Sequence, residues 1–127
     1  MKKIIIISLF VLFSLISKAQ HVLYFEPGAD YKITYVCKYT HSSHPYGNCY
    51  VKHYDVTFYL ENMTSKTIHI NNWNVRRNQN ACNENGKDYF NKASFDLKPS
   101  EKSWHVILGV TVPDSDGCPS GWGWSIK

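Results

Sequence analysis

Alternation of apolar and polar residues runs through most of this chain, and that period of two is what most limits its fold. Tyr31, Ile33, Tyr35, Cys37 and Tyr39 share one side of a run whose other side carries Lys32, Thr34, Lys38 and Thr40. Tyr54, Val56, Phe58 and Leu60 alternate with His53, Asp55, Thr57 and Tyr59. Trp104, Val106, Leu108, Val110 and Val112 alternate with His105, Ile107, Gly109 and Thr111. Successive side chains of an extended strand point to opposite faces, so these runs read as half-buried strands. Gly109 inside the third run marks a bulge or a close backbone approach. No window carries a helical stripe of useful length. Nine Tyr, four Trp and six Phe suit pleated surfaces and argue against disorder.

Turn chemistry cuts the runs at short intervals. Pro27-Gly28-Ala29-Asp30 ends an opening strand near Val22–Phe25, and Glu61–Lys66 separates the second run from Thr67–Val75. Lys98-Pro99-Ser100-Glu101 separates Ala93–Leu97 from the Trp104 run, and Trp122–Ile126 closes the chain. About seven strands with turns roughly every 8–12 residues is the signature of a sandwich or barrel. The expected inward set is Tyr54, Val56, Phe58, Leu60, Ile68, Ile70, Phe95, Leu97, Trp104, Val106, Leu108 and Val110. Asn71–Asp88, dense in Asn, reads as a long polar loop that Cys82 pins.

The cadence of "FYLENMTSKTIHI" and "FDLKPSEKSWHVILGV", within Val51–Val112, resembles the immunoglobulin-like or fibronectin-like sandwich domains of exported bacterial proteins. The resemblance implies a single all-β, immunoglobulin-like antiparallel sandwich over residues 20–127. One departure is plain: the antibody-type Cys…Trp…Cys core spacing is absent, because Cys37 and Cys49 lie too close together. Architecture of this kind hosts many unrelated activities, so the resemblance carries no function.

Residues 1–19 have the layout of a cleaved export signal. Lys2 and Lys3 precede the apolar run Ile4–Ile16, and Ser17 and Ala19 supply the small residues of a cleavage site before Gln20. A spanning helix needs about 20 apolar residues, so the run is too short for a stable membrane anchor. Lys2, Lys3 and Lys18 leave with the signal, which takes 14 basic residues to 11 against 10 acidic and the net charge from +4 to +1. Arg76-Arg77 is then the only adjacent basic pair, which is not the concentrated stripe of a nucleic-acid binder. The expected location is secreted or periplasmic.

Cys37, Cys49, Cys82 and Cys118 form an even set, which in an exported chain points to two disulfides. Of the three possible connectivities the spacing favours Cys37–Cys49 with Cys82–Cys118. A competing arrangement uses Cys37, His41, His44 and Cys49 as four Zn ligands; the oxidising compartment favours the disulfides, and no cofactor or metal is expected.

Enzyme signatures are missing: there is no G-x-S-x-G, H-E-x-x-H or phosphate-cradling Gly loop. His21, His41, His44, His53, His69 and His105 are scattered. Asn83–Gly86 and Asp114–Gly117 each imitate part of a calcium loop and lack its remaining ligands. The reading is a non-catalytic binding module with a protein or glycan partner at the cell envelope. Trp122 and Trp124, on one strand face between glycines, are the candidate sugar-stacking pair, with Trp73 or exposed tyrosines assisting; the bland alternative puts both indoles in the core. A small hydrolase, or an inhibitor of one, is the reading from another class. Intact-mass measurement on protein from the native envelope should find a chain beginning at Gln20; retention of Met1–Ala19 would contradict export with cleavage.

Overall fold

The computed structural model describes residues 19–79, 82 and 85–127, so the segment before Ala19 lies outside it. Seven strands follow one another: β1 His21–Tyr24, β2 Tyr31–Tyr46, β3 Cys49–Asn62, β4 Ile68–Gln79, β5 Asn85–Leu97, β6 Lys102–Pro113 and β7 Trp122–Ile126. Every pairing is antiparallel. One sheet has the order β1-β2-β3-β6 and the other β5-β4-β7. The two sheets close on one core, as expected of a sandwich. In chain order, however, this is not the antibody constant-domain arrangement, which sets the second strand beside the fifth. Here β2 lies between β1 and β3.

Phe58, Ile33, Leu60 and Val56 from the larger sheet meet Trp73, Val75, Phe90 and Leu97 from the smaller, all fully or almost fully buried. Ring packing orders this interior. Trp73 stands edge-on to Phe90 at 4.8 Å between centroids, and Trp122 edge-on to Phe58 at 4.9 Å, the geometry that the ring quadrupoles favour.

The expected inward set holds in part. Val56, Phe58, Leu60, Ile70, Leu97 and Val110 are buried, and Tyr54, Ile68 and Phe95 pack at its margin. On β6 the expected face fails. Trp104, Val106 and Leu108 are exposed, at 62%, 38% and 74%, and Ile107 points inward instead. The cause is the bulge at Gly109. Tyr54 pairs with Val110 but Val56 with Ile107, so two residues of β6 face one of β3. Gly109 takes φ +70° there and its amide donates to Asp55 Oδ1 at 3.2 Å. An extra residue moves every side chain before it to the opposite face.

The presumed loop Asn71–Asp88 is mostly strand. Trp73 and Val75 are buried within β4, and Asn side chains on the same strand make cross-strand bonds, Asn72 to Asn91 Oδ1 and Asn74 to the Phe90 carbonyl. Inward parity switches between Ile70 and Trp73, where Ser94 of β5 takes positive φ.

Both disulfides form, with the third connectivity rather than the favoured one: Cys37–Cys118 and Cys49–Cys82, each with 5.7 Å between Cα atoms. The long β2–β3 hairpin explains the correction. Cys37 faces Val56, whereas Cys49 faces Tyr46 at the hairpin's end. At about 3.3 Å per residue the two cysteines are roughly 20 Å apart, far beyond disulfide reach. The observed bridges span 81 and 33 residues, and the chain-entropy relation assigns them about 4.5 and about 3.7 kcal/mol.

Substitutions separate the two faces of β6. Phe58→Ala should cost about 3–5 kcal/mol, and exposed Leu108→Ala within about 0.5 kcal/mol of nothing. Gly109→Ala meets open space and should cost about 1–2 kcal/mol through its left-handed backbone alone. Urea melts of the three variants test the register; a large loss at Leu108 would contradict the bulge.

Candidate binding surface

The far end of the β2–β3 hairpin is built from rings. Tyr39 faces Tyr54 edge-on at 5.8 Å, His41 stacks on His53 at 4.1 Å, and His44 stacks on Tyr50 at 4.1 Å. These pairs step outward along the ladder in a run where sequence places Tyr, His and Ser at close intervals. Cross-strand ring pairs of this sort stabilise a hairpin by roughly 0.2–1 kcal/mol each. Thr40 bulges between the first two pairs, and its hydroxyl donates to the His53 carbonyl at 3.0 Å. Ser43 Oγ lies 2.6 Å from His53 Nε2. At the tip Gly47 takes φ +48°, and its carbonyl meets His44 Nε2.

Three fixings hold this end in place. Cys49–Cys82 ties the β2–β3 tip to the β4–β5 tip, around a small cluster that includes Val51. The Tyr46 hydroxyl donates to the Cys82 carbonyl at 3.2 Å. The Asp114 amide donates to the Tyr50 carbonyl at 2.9 Å, so the β6–β7 connection packs against the hairpin. Above these fixings Tyr39, Tyr46 and Tyr50 stand 51%, 60% and 57% exposed. Large rings pinned by such contacts have less side-chain freedom to lose on contact than unpinned ones.

The tryptophans are placed differently from the stacking scheme. Trp73 is wholly buried and Trp122 nearly so, with its indole N–H donating to the Pro119 carbonyl at 3.1 Å. Trp124 is half-buried against Tyr24 at 4.7 Å. Neither Trp73 nor Trp122 has a free face for a sugar; the alternative that puts Trp122 and Trp124 in the core fits Trp122, whereas Trp124 only packs at its margin. The exposed indole is Trp104. It borders a cleft of about 380 Å³ between β5 and β6, lined by Lys92, Phe95, Asp96, Glu101, Lys102 and Ser103. Its exposure follows from the Gly109 bulge, which sequence pattern alone did not carry through to the strand's facing.

Other proposed ligand sets do not assemble. Cys37 and Cys49 lie in separate disulfides, so Cys37, His41, His44 and Cys49 do not converge on a Zn ion. Asp114 and Asp116 are exposed turn residues, the Asp116 amide donating to the Pro113 carbonyl; Asn83 and Glu84 lie outside the described residues. Ser43 and His53 have the spacing of a nucleophile and base, but the ring of His53 lies against His41. His69 Nδ1 and Asp96 Oδ1 lie 2.6 Å apart, and among the described residues neither histidine completes a hydroxyl–His–carboxylate chain. Comparison with protein-family models, curated proteins and solved structures returns no match.

Two imidazoles are pushed toward neutrality. Burial, then the neighbouring His41, holds His53 below the usual histidine range. Burial, then Lys92, does the same to His105, which leans on Phe90 at 4.3 Å. Below about pH 6.5 the unfolded chain therefore binds protons at these positions that the folded chain resists. Their stabilising contribution is complete above that pH and is lost as pH falls through the lowered folded-state values. Melting temperature should drop between pH 7.5 and 5, and His53→Gln with His105→Gln should flatten that slope. An unchanged slope in the double variant would contradict the assignment.

Proposed function

We propose that this chain is an exported, non-catalytic binding module that engages a protein partner through the ringed end of its β2–β3 hairpin. The observation that carries the reading is the combination of Tyr39, Tyr46 and Tyr50 exposed beside Ser42, Ser43 and Asn48 with the Cys49–Cys82 bridge beneath them. Tyrosine supplies large amphipathic contact area with two side-chain torsions to fix, and Ser and Asn adapt their hydrogen bonds to a partner. Two disulfides agree with the oxidising compartment that the Lys2–Ala19 pattern addresses.

The immunoglobulin-like relation is part of the same proposal. Counted from β2, the strands β2, β3 and β6 take the places of A, B and E, and β5, β4 and β7 those of C′, C and F. β1 is then an added edge strand. In immunoglobulin variable domains the contact loops are B–C, C′–C″ and F–G; the A–B and C–C′ tips that Cys49–Cys82 joins stand at the other end of the sandwich, so the proposed surface is not the antibody-type one.

Glycan recognition is the second reading, carried by Trp104 and the polar cleft beside it. Exposed indole faces stack on sugar rings while charged groups take the hydroxyls. Tyr46→Ser with Tyr50→Ser, and separately Trp104→Ala, distinguish the two in envelope pull-down and glycan-array assays. The tyrosine double variant should lose partner capture at an almost unchanged melting temperature, and Trp104→Ala should retain it. Capture lost only with Trp104 would move the site to the cleft, and capture unaffected by either variant would overturn both readings.

A further inference from the structure

His21 opens β1 directly opposite Tyr35 and stacks on its ring at 4.9 Å with the planes 18° apart. Cys37 follows two residues along the same face of β2, and the connection into β7 carries Cys118 up to it. One ligating atom from each of His21, Cys37 and Cys118 lies within 4.8 Å of the other two, and all three residues are half-buried. Among the described residues no other three His, Cys, Asp or Glu side chains converge in this way, and Cys49–Cys82 has no such imidazole beside it. A disulfide has no need of a histidine. Two sulfurs and a ring nitrogen in that compass are, however, the donor set of a thiophilic ion. Around tetrahedral Zn(II), with Zn–S of about 2.3 Å and Zn–N of about 2.0–2.1 Å, such donors stand roughly 3.5–3.8 Å apart. The two sulfurs, bonded in the disulfide, part to that separation once the bond is broken, and the His21 nitrogen already lies within 4.8 Å of both.

We propose that Cys37, Cys118 and His21 form a redox-convertible closure: a disulfide when oxidised and a three-ligand Zn(II) site when reduced. Conversion starts with a dithiol reductant. Its thiolate attacks one sulfur, the Cys37–Cys118 bond breaks, and two electrons pass, leaving two protein thiols and the reductant's own disulfide. Zn(II) then displaces one proton from each thiol and binds both thiolates, and neutral His21 gives its nitrogen lone pair. The fourth position is left to water, as in three-ligand zinc sites. Cys37 belongs to the larger sheet, and Cys118 leads into β7 of the smaller. In both states the closure therefore joins the same two parts of the sandwich. The ion does chemically what the covalent bond does when oxidised.

The test is Zn(II) titration of the full chain, reduced with a phosphine and set against a chromophoric chelator, with circular dichroism recorded on every sample. The reduced chain should take up one Zn(II) tightly, and the oxidised chain none. His21→Gln should weaken uptake by about 100-fold, at least the loss seen when only an outer-shell partner of a ligand is removed. Cys37→Ser with Cys118→Ser should abolish it. Co(II) in place of Zn(II) should show a thiolate charge-transfer band sized for two sulfurs. No uptake by the reduced chain, equal affinity in His21→Gln, or a site surviving in the double serine variant would each overturn the proposal.

Discussion

Asn62 is the polar contact on which the sandwich closes. It is 1% exposed at the end of β3, where an amide side chain is costly to bury unless every donor and acceptor is met. Its Nδ2 donates to the Lys66 carbonyl at 2.7 Å and the Leu97 carbonyl at 2.8 Å, and its Oδ1 accepts from the Thr64 amide at 2.8 Å and the Thr64 hydroxyl at 2.7 Å. Its backbone is engaged as well: the Asn62 amide donates to the Glu101 carbonyl, and the Ser100 amide donates to the Asn62 carbonyl. The chain crosses between the sheets after β3, after β5 and after β6, and the first two of these crossings fasten to this residue. Facing of the two sheets, and hence the enclosure of Phe58 against Trp73 and Phe90, depends on it.

From that closed end the strands run to an opposite end with different demands. There the β2–β3 and β4–β5 hairpins emerge together, and Cys49–Cys82 takes over the role that buried polar bonds perform at the base. Because the bridge supplies the fixing, the rings above it are free to be exposed. Tyr46 and Tyr50 bury little of themselves, so the Tyr46–Cys82 hydrogen bond and the His44–Tyr50 stack account for only a small part of their ring area. The proposed binding surface rests on that unburied aromatic area.

The strand content and the division into seven elements were legible from alternation and turn chemistry, since one side of most strands faces a core. Three features were not. The Gly109 bulge was visible as a glycine in a strand, but which residues it turned outward depended on pairing with Asp55 and Val56 of β3. The Asn-rich stretch looked like a loop because Asn favours turns, whereas Trp73 and Val75 supplied the buried face of β4. Disulfide pairing followed from how far the β2–β3 hairpin extends, a length the local pattern around Thr40–Asn48 concealed beneath turn-forming residues. As for the site, the density of Tyr, His and Ser near residues 39–50 was in plain view. Its significance emerged from exposure and from the bridge, both of which are tertiary.

Amide hydrogen exchange at the closed end tests the dependence on Asn62 most directly. Its own amide and those of Thr64 and Ser100, though they lie at or beyond strand ends, donate into the Asn62 cluster, so they should exchange by the same global opening as Phe58 and Leu60. Exchange of these amides at the rate of the open turn around Gly28, with the strands still protected, would show that the sheets stay closed without Asn62 and would contradict the account.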